Sequence, residues 1–330
     1  MNRTQRIENA SQTLDITKRG VYIANGHEVN ISDAISRSVR DTLLYTPEAL
    51  SEIARQADQI IVTNRKTAIT VVNQTTMEAL REMTTSGKSE MTTAGKTDVA
   101  LVGKTEMTTA GKTDVTLVGK AEMKPVENAE MTTAEKIGCL NFASAKNPGG
   151  GFLSGALAQE ECLAAASSLY PSLSQPKCLE MYEYNRSRKT CLYSDYMIYS
   201  PNVVFFKDDT GLLLETPYQA DVLTSPAVNI AAMSQTNPSD LPYVEQTMMS
   251  RIDKMFAVFA LHNVETLVLG AWGCGVFQNN PHDIARYFAT FLTGNGKYAG
   301  YFRKITFAVY DRSINQENFN AFREVFGAHC

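Results

Sequence analysis

The chain has 330 residues, 44% of them hydrophobic and 20% charged, with a formal net charge of −4. That composition is of an ordinary globular protein and excludes disorder as the main state. The acidic balance leaves no basic field to draw the chain to nucleic-acid backbones or anionic membranes, so a polyanionic ligand must be held locally.

The start, MNRTQRIENASQTLDITKRG, lacks the continuous apolar core of a secretory signal, and no later run approaches the apolar length of a membrane span. The expectation is a chain that stays inside the cell, cytoplasmic or nuclear, without membrane contact. Six cysteines (Cys139, Cys162, Cys178, Cys191, Cys274, Cys330) form no CxxC pair. Most sit in apolar or glycine-rich settings, which favours reduced thiols over disulfides or zinc.

In chain order, RGVYIANGHEVNIS places Asn25-Gly26 between two alternating segments, a hairpin signal. SDAISRSVRDTLLYTP predicts a helix with Ser32 as N-cap. AITVVNQTTMEALREM predicts a strand and then a helix that runs into repeats.

Between Met83 and Lys136 lies an octapeptide array: MTTSGKSE, MTTAGKTD, VALVGKTE, MTTAGKTD, VTLVGKAE, then drifted copies. Such units carry almost no aromatics and bury little apolar area, which predicts a flexible insertion or loose hairpins rather than a packed solenoid. GKS or GKT occurs four times in the array. A phosphate-binding P-loop would need a glycine five positions earlier, and those positions are Glu82, Glu90, Asp98 and Glu106. The P-loop reading fails at each.

KIGCLNFASA, residues 136–145, predicts a buried strand leading into NPGGGFLSGALAQEECLAAASSLYPSL. DYMIYSPNVVFF, GLLLETPY and ADVLTSPAVNIAA read as strand segments broken by proline. Residues 239–262 have the apolar spacing of an amphipathic helix. ETLVLGAW is a strand, GCGVFQNN a loop, and PHDIARYFATFL a helix with Asn280 as N-cap and Pro281 at its first position. KITFAVYD and a helix near 316–326 close the pattern. Alternation of strands and helices after residue 136 predicts a three-layer α/β fold, with ligands outside the carboxyl ends of the strands. The expected organisation is an N-terminal helical and hairpin extension over 1–82 that packs on the catalytic domain, the insertion over 83–136, and the catalytic domain over 137–330.

On that scaffold Asn147–Ser154 is a strand-to-helix loop. Three glycines let backbone N–H groups approach an anion, and a helix N-terminus adds a field worth about 0.3 to 1 kcal/mol when exposed. A glycine-rich turn packed on a neighbour would look the same. Gly273-Cys274-Gly275-Val276-Phe277 forms a second such loop, whose aromatic is placed to pack on a sugar or base. Glu160 and Glu161 open the helix after the glycines, where they either stabilise the helix terminus or, partly desolvated, act as a proton donor and acceptor.

NPGGGFLSGALAQEE, with GGG, a seven-residue spacer and QEE, resembles the signature of poly(ADP-ribose) glycohydrolases of microbial type, which are macrodomain-fold enzymes. The resemblance continues through LYTPEAL, LNFASAKNPGGGF, LYPSL, YEYNR, LYSDYMIYSP, TSPAVN, RIDK, LGAWGCGVF and AVYDRS, most of the chain outside the array. It implies a three-layer, macrodomain-like mixed sheet flanked by helices. It implies that Gly149, Gly150 and Gly151 bind a diphosphate, that Asn147 lines the ribose side, and that Gln159 belongs to the substrate-binding set. Glu161 is implied as the catalytic acid, and Glu160 as the group that holds ribose hydroxyls. Gly273, Gly275, Val276 and Phe277 match the second phosphate loop. The array departs from the family pattern.

The implied reaction is hydrolysis of ribose–ribose glycosidic bonds of poly(ADP-ribose), or of ADP-ribosylated protein, by a monomer. One acid does the proton work, because adjacent carboxylates on a helix point roughly 100° apart. No cofactor and no metal is expected, since His27, His262, His282 and His329 show no ligand spacing. A non-catalytic ADP-ribose reader, a hydrolase of single ADP-ribosyl groups, and an interaction protein defined by its repeats are the alternatives.

Overall fold

The computed structural model describes residues 1–58, 66–86, 101–102, 124–125 and 135–327. Helix α1 (Arg3–Arg19) precedes a hairpin of β1 (Val21–Ala24) and β2 (His27–Asn30), turned by Asn25 and Gly26, both at positive φ. Then come α2 (Ser32–Asp41), β3 (Leu43–Tyr45), α3 (Pro47–Ala57), β4 (Ala68–Val72) and α4 (Thr76–Ser86). Within the array only β5 (Leu101–Val102) and β6 (Lys124–Pro125) are described, as an antiparallel pair; the expectation of flexibility or loose hairpins otherwise lies outside the described residues. The chain continues with β7 (Ile137–Phe142), α5 (Gln159–Ala166), α6 (Leu169–Leu173), α7 (Pro176–Ser187), β8 (Met197–Lys207) and β9 (Leu213–Ser225). It ends with α8 (Ile230–Thr236), α9 (Val244–Leu261), β10 (Thr266–Leu269), α10 (Pro281–Leu292), β11 (Lys304–Ala308) and α11 (Glu317–Phe326).

Seven strands form one sheet in the order β3-β8-β9-β7-β10-β11-β4. The pairs β9–β7, β7–β10, β10–β11 and β11–β4 are parallel, while β3–β8 and β8–β9 are antiparallel. The sheet is therefore mixed, and β3 and β4 from the segment before residue 83 are its two edges. Alternate residues of the central strands divide two cores, as strand geometry requires. Leu140, Leu223, Leu267 and Phe307 pack under α3, α9, α10 and α11; Cys139, Val222, Val268 and Ala308 face α4, α5, α6 and α7.

Several local expectations change. Ser32 is the first residue of α2 and Ile31 its N-cap; the Ser32 hydroxyl donates to Asn30 Oδ1. Proline does not break β8 or β9. Pro201 sits in a β-bulge between Ser200 and Val203, next to Asn202 at φ 51°. Pro217 lies in the part of β9 that precedes its pairing with β7, where no ladder bond is needed on that side. The strand reading of VNIAA is also replaced, because Asn229 accepts from Ala232 N and starts α8. Residues 238–243 are a 3₁₀ turn, so the amphipathic helix begins at Val244.

α1 has a capping box at Asn2 and Gln5 and ends at Gly20 in the left-handed conformation. It is docked by Lys207 of β8, whose ammonium donates to Asn9 O at 2.9 Å, Asn9 Oδ1 at 2.7 Å and Thr13 Oγ1 at 2.8 Å. Burial pushes the Lys207 pKa down to about 7.

Candidate active site

The carboxyl ends of β9, β7, β10 and β11 open onto one edge of the sheet, where both glycine loops lie. Ser225 at the end of β9 joins their roots: its carbonyl accepts from Ala143 N at 3.2 Å and from Trp272 Nε1 at 3.2 Å.

After β7 the chain turns through Asn147–Gly150, closed by Gly150 N donating to Asn147 O at 3.0 Å. Gly149 (φ 67°) and Gly150 (φ 60°) are left-handed, a conformation that favours glycine. At Gly150 space also forbids a side chain, since a Cβ would lie 2.2 Å from Glu161 Oε1 and 3.0 Å from Glu160 Oε2. Asn147 is exposed, and Gly151 donates its N–H to Glu161 Oε1 at 2.8 Å. The expected association of the glycines with the carboxylates is thus a direct contact.

The three residues of QEE have different environments. Gln159 faces inward: its Oε1 accepts from Phe142 N at 2.9 Å, and its Nε2 donates to Leu140 O at 2.8 Å and Thr76 Oγ1 at 3.2 Å. It fastens the start of α5 to the end of β7. Glu160 is 2% exposed. Its Oε1 accepts from Asn141 Nδ2 at 3.2 Å and its Oε2 from Ser144 N at 2.6 Å. Burial pushes the Glu160 pKa up to about 8 against the donors Ser144 N, Asn141 Nδ2 and the Gly149 backbone, and neighbouring Glu161 adds to the rise. Glu161 is half-buried, on the loop side.

α1 supports the far side of the loop. Arg3 Nε donates to Ser154 O at 3.0 Å and Arg6 Nε to Gly155 O at 2.8 Å. Gly155 (φ 73°) packs so close to α1 that a Cβ would lie 2.7 Å from Arg3 O.

The second loop is held by neutral groups. Gly273 (φ 76°) is hemmed in by Ala227 and Asn279, each 2.6 Å from where a Cβ would be. Asn279 Nδ2 donates to Val228 O at 2.8 Å and to Gly273 O at 3.1 Å. Gly275 is exposed in open space, Val276 is 75% exposed, and Phe277 is half-buried with its ring centroid 6.1 Å from that of Tyr193. Asn280 caps α10 as expected, accepting from His282 N and Asp283 N.

Three contributors were not singled out by sequence. Asn141 and Ser144 fix Glu160, and a polar residue at the end of an apolar strand was the available signal. Arg251 is fully buried in α9. Its guanidinium donates to Asp195 Oδ1 at 2.9 Å, Pro226 O at 2.8 Å and Leu192 O at 3.1 Å, framing the loops beside Phe277. RIDK carries the resemblance, but burial of its arginine depends on carbonyls distant in sequence. Among the described residues no group of three or more His, Cys, Asp or Glu is arranged to hold a metal ion.

The model of the microbial-type PARG catalytic domain matches residues 10–208, which include the first glycine loop and both carboxylates. The chain is 35% identical to the poly(ADP-ribose) glycohydrolase of Thermomonospora curvata, covering 98% of this chain and 100% of that one at a TM-score of 0.79. The same enzyme bound to the inhibitor ADP-HPD aligns at 35% identity and a TM-score of 0.76, over 97% of this chain and 99% of that one. The enzyme of Deinococcus radiodurans in complex with ADP-ribose is 33% identical, with 92% of this chain and 100% of that one covered and a TM-score of 0.73. No curated protein sequence matches significantly. With the catalytic-domain model seated on the glycine–carboxylate loop and two bacterial enzymes aligned along their whole length, the chain belongs to the microbial-type PARG family.

Proposed function

We propose that this protein is a poly(ADP-ribose) glycohydrolase that cleaves ribose–ribose bonds and releases ADP-ribose, with Glu161 as general acid and base. The observation that carries the reading is the contact between the glycine loop and the carboxylate. Gly151 N–H fixes Glu161 Oε1, and Gly150 leaves no room for any side chain between loop and acid. With Oε1 anchored, we assign the other oxygen, Oε2, to a ligand seated on the loop.

In the forward step Glu161 gives its proton to the departing ribose oxygen as the anomeric C–O bond breaks and an oxocarbenium-like centre forms. The carboxylate then takes a proton from water, whose oxygen bonds to the anomeric carbon. Glu160, with its pKa near 8, brings little second negative charge beside Glu161 at neutral pH. We assign its loop-facing Oε2 to the ribose hydroxyls. Gly149, Gly150 and Gly151 allow the diphosphate close approach, since the amides of Gly150 and Gly151 are bonded to Asn147 O and Glu161 Oε1; Gly273 and Gly275 supply amides or close approach, with Asn147, Val276 and Phe277 around the sugar. Gln159 acts as a strut for α5 rather than as a ligand contact, since its amide is bonded to β7 and α4. We place the enzyme, working as a monomer, in a reducing intracellular compartment. The free thiols of Cys139, Cys162, Cys178, Cys191 and Cys274 are consistent with it, and no described helix is long and apolar enough to cross a membrane.

ADP-ribose released from purified polymer tests the assignment. Glu161→Gln is expected to lower kcat by about 10²- to 10⁴-fold, the usual contribution of a positioned general acid. Undiminished release by that variant would refute the role of Glu161. A wild type that binds ADP-ribose without releasing it from polymer would instead be a reader, and one that acts only on singly modified protein would differ in substrate.

A further inference from the structure

Beside the first glycine loop lie two cation-bearing segments. Residues 143–159 contain Lys146 and no carboxylate, and residues 184–194 contain Arg186, Arg188 and Lys189 and again no carboxylate, in a chain of net charge −4. All four cations are exposed, and none is in an ion pair among the described residues. Direct contacts join the two segments to the carboxylates. Arg186 Nη1 donates to Lys146 O at 2.5 Å, Lys146 N donates to Ser144 Oγ at 3.3 Å, and Ser144 N donates to Glu160 Oε2 at 2.6 Å. The patch is therefore continuous with the active-site loop.

It also carries an aromatic platform. Tyr184 is 37% exposed, the Arg188 guanidinium lies 5.3 Å over its ring, and Arg188 Nη1 donates to its hydroxyl at 2.8 Å. Tyr196 packs against the Tyr184 ring at 5.3 Å between centroids, tilted by 58°. Exposed cations next to a fixed ring are a usual means of holding a flexible chain of phosphates and bases. The carboxylates nearby are Asp240, which accepts from Thr190 next to Lys189, Glu180, which accepts from Tyr196 Oη at 2.6 Å, and Glu183, exposed on α7.

We propose that Lys146, Arg186, Arg188, Lys189 and Tyr184 form a second substrate subsite, which holds a diphosphate and base of an adjoining unit of the ADP-ribose polymer while the terminal unit occupies the glycine loops. The proposal rests on the glycohydrolase reading. It makes binding of polymer, and not that of a single ADP-ribose unit, sensitive to salt through these cations.

The test measures binding of defined-length poly(ADP-ribose) and of monomeric ADP-ribose to the full chain carrying Glu161→Gln, so that the polymer survives. Adding Arg188→Gln with Lys189→Gln is expected to weaken polymer binding about tenfold at low salt and flatten its salt dependence, with ADP-ribose affinity within about twofold because the single unit does not reach the patch. Lys66→Gln, an exposed charge at the opposite sheet edge, should change neither. Equal loss for polymer and monomer, no loss for polymer, or an equal effect of Lys66→Gln would each overturn the subsite. Displacement of polymer from the patch by single-stranded RNA at equal phosphate would assign the surface to nucleic acid instead. If the patch variants bind polymer normally while the wild type still releases ADP-ribose, the subsite falls and the activity stands.

Discussion

The two glycine loops share a place in the fold and differ in what surrounds them. The first, after β7, closes on ionisable groups: Glu160 and Glu161 fill the space that a side chain at Gly150 would need, and Arg3 and Arg6 hold its far end. The second, after β10, closes on neutral amides and carbonyls through Asn279 and Trp272, and at its exposed tip a side chain added at Gly275 would meet no atom within 4 Å. In the proposed assignment the loop built around charge serves proton transfer, and the one built around amides serves grip. Backbone glycine alone does not distinguish the two; the neighbours do.

Breaking the first loop should therefore have the larger effect. Gly150→Ala puts a methyl group on the Glu161 carboxylate at a backbone angle that already opposes a side chain. The expected outcome is loss of about 100-fold or more in kcat, the scale set by an ångström of misplacement at a reacting group, and steady-state kinetics on polymer would reveal it.

The charge that distinguishes this loop can be read through pH. Folding raises the pKa of Glu160 from 4.5 to about 8, so the folded state holds that proton more tightly than the unfolded chain does. The stabilisation is complete below the unfolded value and is lost as pH rises toward the folded one. Thermal melts from pH 4 to 9 should show Glu160→Gln narrowing its gap to, or overtaking, the wild type as pH rises across that window. A gap constant with pH would contradict a buried, proton-holding Glu160.

The second loop predicts a much smaller response. Gly275→Ala meets no atom within 4 Å and has no left-handed angle to oppose it. Melting temperature should be unchanged and kcat should stay within about twofold, as for surface positions generally. A rise in KM alone would mean that the backbone there approaches the ligand closely.

Much of this contrast was legible in the sequence because its signals are local. The apolar run of β7, the glycines, the Glu pair and the Asn280–Pro281 helix start all lie within a few residues of what they determine. Less legible were features fixed by distant partners. α1 docks through Lys207, nearly two hundred residues away, and has no marked apolar stripe to announce it. Gln159 reads as part of the substrate-binding set, yet its amide is drawn inward by the unpaired backbone at the end of β7. Pro201 and Pro217 looked like strand breaks because the sequence does not show where a ladder has a bulge or an empty side.

The course of α4 has a consequence for how this protein could vary. Its first turn touches Gln159 at the ligand edge through Thr76, while its last turns bring Met83 into the core that also takes in Ile137 at the opposite end of β7. The repeats are thus spliced in at the pole away from the cleft. Closing a longer connection there costs only about 0.6 kcal/mol for each doubling of its length. A change in the number of octapeptide copies is therefore expected to leave catalysis unchanged. Removing residues 87–134 in favour of a short flexible linker should leave kcat/KM on polymer within about twofold, measured on the shortened chain beside the full one.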